Sequence, residues 1–164
     1  GYGAPEIVSR TGPGFRNRNL VEDNMTKFRD ALLTEVIPQV EKDFRAKTDR
    51  KDRAIAGLSM GGAESLFTGL NNLDKFAWVA SFSAGGLSED YDQEFPSLGS
   101  SANSKLKVLW IACGTADGLL TSNRKFRAWL TSKGVHHTDI ETPGMHEWPV
   151  WRNNLVAFTP LLFR

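Results

Sequence analysis

The stretch Ala54-Ile55-Ala56-Gly57-Leu58-Ser59-Met60-Gly61-Gly62 constrains this chain more than any other. A short apolar run reads as a buried strand, and Gly-x-Ser-x-Gly follows at once. A strand that breaks into a helix at so sharp a corner lifts the serine onto the tip of a strained turn, with its hydroxyl exposed. Gly57 and Gly61 stand two positions either side, where side chains are expected to collide across the corner. The departing helix aims its positive end and free amides at Ser59, so the Met60 N–H is placed to donate to a developing oxyanion. Gly-x-Ser-x-Gly also occurs in turns without chemistry. Its place between an apolar run and an amphipathic helix is what marks Ser59 as a nucleophile.

The chain has 164 residues, a length that predicts a single domain over residues 1–164 with room for a sizeable core. Twenty Lys and Arg against 19 Asp and Glu give a net charge of +1, which argues against a nucleic-acid or membrane surface. Cys113 is the only cysteine, so no internal disulfide can form and the redox compartment is left undecided. No apolar run approaches the ~20 residues that span a bilayer. The start, Gly1-Tyr2-Gly3-Ala4-Pro5, has neither the basic residues nor the apolar core of a signal peptide and no initiator methionine, which suggests a processed or cut product.

Residues 1–18, rich in glycine and proline, read as loop. From Leu20 to Phe44 the apolar residues Met25, Phe28, Leu32, Val36 and Val40 recur at helical steps, and Pro38 is expected to kink or split that helix. Strands are predicted at Arg53–Leu58, Phe76–Phe82, Leu106–Cys113 and Val135–Glu141. Helices are predicted at Gly61–Leu73, Thr121–Ser132 and Trp148–Phe163. Between Leu87 and Ser104 the chain reads as a polar, irregular excursion with room for one helical turn. Strands alternating with helices of this length predict an α/β fold with a mostly parallel sheet and helices on both faces.

A serine nucleophile needs a base to take its proton and a carboxylate to hold that base in the right tautomer. In a parallel sheet these groups belong just past the carboxyl ends of strands. Asp117 follows the third strand in Cys113-Gly114-Thr115-Ala116-Asp117-Gly118, and His146 follows the fourth in Pro143-Gly144-Met145-His146-Glu147-Trp148. The order Ser, Asp, His is that of the α/β-hydrolases. Asp90 and Asp92, after the second strand, are the alternative acids. His136, His137 and Asp139 fall inside the predicted fourth strand rather than at its end, and read as structural or surface groups. No His-x-x-x-His or Cys-x-x-Cys spacing suggests a metal, and the chemistry calls for no cofactor. Trp148 and Trp151, one turn apart after His146, and Leu119, after Asp117, are candidates to line an acyl pocket; packing of the last helix on the sheet explains the tryptophan spacing equally well.

On Ile55–Gly62, Cys113–Asp117 and Gly144–Trp151, together with Val36-Ile37-Pro38 and Val40–Phe44, the chain resembles the esterase D-like, feruloyl-esterase-like branch of the α/β-hydrolases, carbohydrate esterase family 1. The likeness runs over nearly the whole chain. It implies Ser59 as nucleophile, Asp117 as orienting acid and His146 as base, acting on small-molecule or carbohydrate esters such as feruloyl and acetyl groups. Acyl transfer and a weakly active carbohydrate-binding remnant are the alternatives. The resemblance alone suggests a secreted or periplasmic protein. Such hydrolases run well over 200 residues and place four strands before the helix that leads into the serine corner. The resemblance therefore implies that this chain is the C-terminal part of the fold, lacking its first strands and the segment that supplies a second oxyanion amide. Residues 53–58 are then an open sheet edge, expected to be covered by the remaining N-terminal half or by a second copy.

Overall fold

The computed structural model describes residues 18–164, so all but the last residue of the loop expected over residues 1–18 lies outside the described residues. Arg18 itself opens a helix. Two compact units divide the chain between Thr48 and Asp49.

In the first unit, α1 (Arg18–Ala31) runs through a π turn (Leu32–Val36) into α2 (Ile37–Asp43). Pro38 neither splits nor ends this helix. Proline lacks an N–H and its ring excludes the carbonyl four residues back. The chain answers by widening one turn: the Ile37 N–H reaches back five residues to Leu32 O, and helical bonding resumes beyond it. Val21, Met25 and Ala31 are buried, whereas Val36 and Val40, which continue the same apolar stripe, are exposed.

The second unit is built on a four-stranded sheet in the order β1 (Ala54–Leu58), β2 (Trp78–Phe82), β3 (Val108–Gly114), β4 (Thr138–Thr142). Every neighbouring pair is parallel, with Ala56 opposite Ala80, Ala80 opposite Trp110 and Ala112 opposite Ile140. The central strands are almost wholly buried, as parallel strands covered on both faces must be. Side chains alternate between the faces. Ile55 and Val79 lie beneath α3 (Met60–Asn71), which Gly69 lets settle close to them. Ala80, Phe82, Trp110 and Ala112 point the other way and form a core with Val150, Trp151 and Phe158 of α6 (Trp148–Phe158). The sheet thus has helices on both faces, the α/β arrangement expected. Among the described residues no strand pairs with the outer edge of β1.

Two boundaries depart from the sequence reading by more than two residues, each for a local reason. The fourth strand begins at Thr138 rather than Val135, because the His137 ring bonds Val135 O at 2.8 Å and meets Asp139 at 3.2 Å. Those local bonds hold residues 135–137 out of the ladder. The last helix stops at Phe158 and tightens into a 3-10 turn over Thr159–Leu161, since Pro160 has no N–H to continue it. The expected irregular excursion is anchored instead. It forms α4 (Tyr91–Glu94) and a 3-10 turn (Ser100–Ser104), and Tyr91 and Phe95 pack on Phe126 and Trp129 of α5 (Leu120–Ser132) with ring centroids 5.3–5.7 Å apart.

Candidate active site

Parallel pairing brings the carboxyl ends of all four strands to one edge, and the loops that leave them are stitched together by further backbone bonds. The Ser59 N–H donates to Phe82 O at 2.9 Å, Ser83 N–H to Ala112 O at 2.7 Å, Thr115 N–H to Thr142 O at 2.9 Å and Ala116 N–H to Gly144 O at 2.8 Å. Ladder bonding therefore continues past the strands and fixes the residues that follow each one.

Ser59 sits at the corner between β1 and α3 with φ 54° and ψ −124°, which a non-glycine residue adopts only under constraint. The constraint is visible. Gly62, Ala63 and Gly85 all donate to Ser59 O, at 3.0, 3.3 and 3.0 Å. A Cβ on Gly57 would lie 2.1 Å from Gly61 O, so glycine is required there. Gly61 departs from expectation. A Cβ on it meets nothing within 4 Å, because its side-chain direction leaves the corner while its carbonyl is what crowds Gly57. The Met60 N–H opens α3, and as the first amide of a helix it has no intrahelical acceptor.

Asp117 lies beyond β3. The loop comes so close to that after β4 that a Cβ on Gly114 would stand 2.6 Å from Gly144 O. The Asp117 side chain is 1% exposed. Its Oδ1 accepts from the Leu119 N–H at 2.8 Å and its Oδ2 meets His146 Nδ1 at 2.8 Å. Burial alone would raise its pKa, but the Leu119 N–H, the Ser83 hydroxyl and His146 together outweigh burial and hold it below the ordinary carboxylate range. An ionised carboxylate only accepts, so Nδ1 of His146 donates to it, and in the neutral imidazole this leaves Nε2 as the acceptor. Nε2 lies 3.0 Å from Ser59 Oγ. Ser59, His146 and Asp117, widely separated in sequence, form one hydrogen-bonded line.

The competing groups are occupied elsewhere. Asp90 caps α4 by accepting from the Gln93 N–H at 3.0 Å. Asp92 pairs with Lys133 at 2.6 Å and accepts from Trp129 Nε1. The His137 ring is tied to Val135 and Asp139, while the backbone N–H of His136 donates to Asn103 Oδ1. Among the described residues no group of three or more His, Cys, Asp or Glu is placed to hold a metal ion, and no helix is long and apolar enough to cross a membrane.

The two tryptophans separate. Trp151 is buried, its ring edge-to-face with His146 at 4.8 Å, whereas Trp148 is 71% exposed and leans on Trp151 at 5.3 Å. Trp148 borders a cavity of about 450 Å³ shared with Leu58, Phe82, Arg152 and Leu155. Leu119 is half-buried against Gly85, and its N–H serves Asp117. Sequence reasoning missed Ser83. The signal available was Ser83-Ala84-Gly85-Gly86, a serine closing a buried strand beside the one that carries Ser59.

The family model described as "Putative esterase" matches residues 7–162. The chain belongs to this esterase family. It is 27% identical over 139 residues to an endo-1,4-beta-xylanase/feruloyl esterase of Xylanibacter ruminicola, covering 84% of this chain and 18% of that protein. It is 25% identical to an acetyl esterase of Caldicellulosiruptor saccharolyticus, covering 83% of this chain and 63% of the relative. The CE1 ferulic acid esterase of the anaerobic fungus Anaeromyces mucronatus superposes with a TM-score of 0.73 at 20% identity, over 96% of this chain and 59% of that one. That likeness establishes the shared α/β-hydrolase fold. The chain thus spans less than two thirds of the length of these relatives.

Proposed function

We propose that this chain carries the catalytic machinery of a serine carboxylester hydrolase working through an acyl-enzyme. The observation that carries the reading is the line from Asp117 Oδ2 to His146 Nδ1 at 2.8 Å and from His146 Nε2 to Ser59 Oγ at 3.0 Å. In this scheme Nε2 takes the Ser59 proton as Oγ attacks the ester carbonyl, and the tetrahedral oxyanion forms beside the Met60 N–H. His146 then returns the proton to the departing alcohol, and the acyl group stays on Ser59. Water, deprotonated by the same nitrogen, releases the acid. Asp117, kept ionised, stabilises the imidazolium in both halves. No cofactor enters the scheme.

The acyl group is proposed to be an acetyl or feruloyl group on carbohydrate. The names of the two curated relatives support that class. So does the exposed Trp148, one ring removed from the imidazole, which offers an aromatic face to an aryl acid. The test is a fluorophosphonate probe with peptide mapping, alongside steady-state hydrolysis of methyl ferulate and 4-nitrophenyl acetate. Labelling on Ser59 and loss of turnover in Ser59→Ala are expected. Labelling at another residue, or undiminished turnover in Ser59→Ala, removes the reading.

A further inference from the structure

Asn123, in the first turn of α5, joins the loop that holds the serine corner to the loop that holds the acid. Its side chain is buried, and Nδ2 donates to Ala84 O and to Leu119 O, each at 2.9 Å. Two carbonyls face the amide and only its NH2 end can donate to them, which fixes the way it points. Oδ1 then lies buried with no donor among the described residues. An unmet acceptor costs stability, so what this side chain contributes is its two donors. Ala84 O and the Gly85 N–H belong to one peptide group. Its carbonyl accepts from Asn123, and its amide donates to Ser59 O at 3.0 Å. The other donors to Ser59 O, Gly62 and Ala63, lie in α3 itself, so Gly85 is the one that reaches the corner from another element.

Leu119 plays the matching part on the acid's side. Its N–H donates to Asp117 Oδ1 at 2.8 Å. Its carbonyl accepts from Asn123 Nδ2, from the Asn123 N–H at 3.0 Å and from the Ser122 hydroxyl at 2.9 Å, which makes Leu119 a fixed point at the start of α5. The Leu119 side chain also lies against Gly85, where a Cβ would stand 2.9 Å from Leu119 Cδ1. We infer that Asn123 is a positioning residue: its carboxamide clamps the Ala84–Gly85 peptide to Leu119, and so sets the spacing between the Ser59 corner and the Asp117 carboxylate that His146 must bridge. That bridge consists of two bonds, at 2.8 and 3.0 Å, and tolerates little drift of one loop against the other. The consequence for turnover rests on the esterase reading above; the clamp itself does not.

The experiment compares Asn123→Leu and Asn123→Ala with the parent protein and with Asn103→Leu. Leucine is close to asparagine in size, and alanine, the best helix former, covers the case in which leucine does not fit. Asn103 is the control, another asparagine tied at both ends of its amide. Its Nδ2 donates to Gly134 O and its Oδ1 accepts from the His136 N–H, both at 2.8 Å, but it lies before β4, at the amino ends of the strands. Two readouts are taken: kcat and KM on 4-nitrophenyl acetate, and hydrogen exchange of the Gly85 amide by NMR. Both Asn123 variants should lower kcat about tenfold to a hundredfold with KM within about twofold, and the Gly85 N–H should exchange about tenfold faster. Asn103→Leu should lower Tm yet leave kcat and Gly85 exchange within about twofold of the parent. Unchanged kcat in the Asn123 variants overturns the positioning role. A loss of kcat without faster Gly85 exchange, or an equal loss in Asn103→Leu, overturns the clamp as its cause. If fluorophosphonate fails to label Ser59 in the parent while Gly85 exchange still responds to Asn123→Ala, the esterase reading fails and the clamp stands.

Discussion

The two glycines that flank Ser59 look equivalent in the sequence and should behave oppositely when changed to alanine. A Cβ on Gly57 would stand 2.1 Å from Gly61 O, 2.4 Å from its carbonyl carbon and 2.7 Å from Ser65 Oγ. The carbonyl belongs to helix backbone, so no rotamer change relieves the clash, and the corner must open by on the order of 1 Å. Forcing atoms into a packed site costs about 1–3 kcal/mol, and a backbone obstacle places this case at the upper end. At about 2–4 °C per kcal/mol for a chain of this size, Gly57→Ala should lower Tm by about 6–12 °C. The same shift displaces Ser59 Oγ from its 3.0 Å contact with His146. A 1 Å misplacement of a reacting group costs about 10² in rate. Gly61→Ala meets open space and exchanges glycine for a better helix former, so Tm should be unchanged or rise by a few degrees, about 0.5–1 kcal/mol at most. Thermal melting followed by circular dichroism, with the second-order rate of fluorophosphonate labelling, measures both effects. Equal Tm and labelling rates for the two variants would refute the steric account of the corner.

Asp117→Asn should leave the fold intact and lower turnover by about 10⁴, because an amide lets His146 settle in the wrong tautomer; Asp90→Asn and Asp92→Asn should leave kcat within about twofold. A crippled Asp90 or Asp92 variant beside a silent Asp117→Asn would move the acid to the other loop. Glu141, bound by Arg124 and Arg127, has its pKa lowered to about 2 from 4.5. A carboxylate depressed in the folded state adds stability above its unfolded pKa and loses it as pH falls through the folded value. Stability should therefore fall as pH drops from about 4.5 to about 2, and denaturant melts of Glu141→Gln should show a flatter dependence over that window. Asp117 is also depressed, so its contribution is lost in the same direction, below the ordinary value of 3.8. Trp148→Ala should raise KM for methyl ferulate about two- to tenfold, from loss of one aromatic contact, and leave KM for 4-nitrophenyl acetate unchanged; equal effects on both esters would deny Trp148 an aryl-binding role.

Several features of this protein are local, and local features are legible in a sequence. The serine corner needs only a β-type run, a glycine where backbones cross and an amphipathic helix, all within Ala54–Asn71. The parallel sheet follows from strand and helix lengths, and once it is granted, Asp117 and His146 stand out as the groups just beyond strand ends. Other features depend on segments that meet only in three dimensions. Gly57 and Gly61 are indistinguishable until the corner is closed and one carbonyl is seen to face the other residue. Pro38 announces a disturbance, but whether the helix breaks or widens is decided by the Ile37 bond to Leu32. Trp148 and Trp151 share a helical turn, yet one is exposed and the other buried because only Trp151 faces the sheet and the imidazole. Ser83 is the clearest case. Its contact with Trp151 joins residues 68 positions apart, and no period or motif encodes it. It exists because α6 packs back across the face of β2, which tertiary structure alone decides.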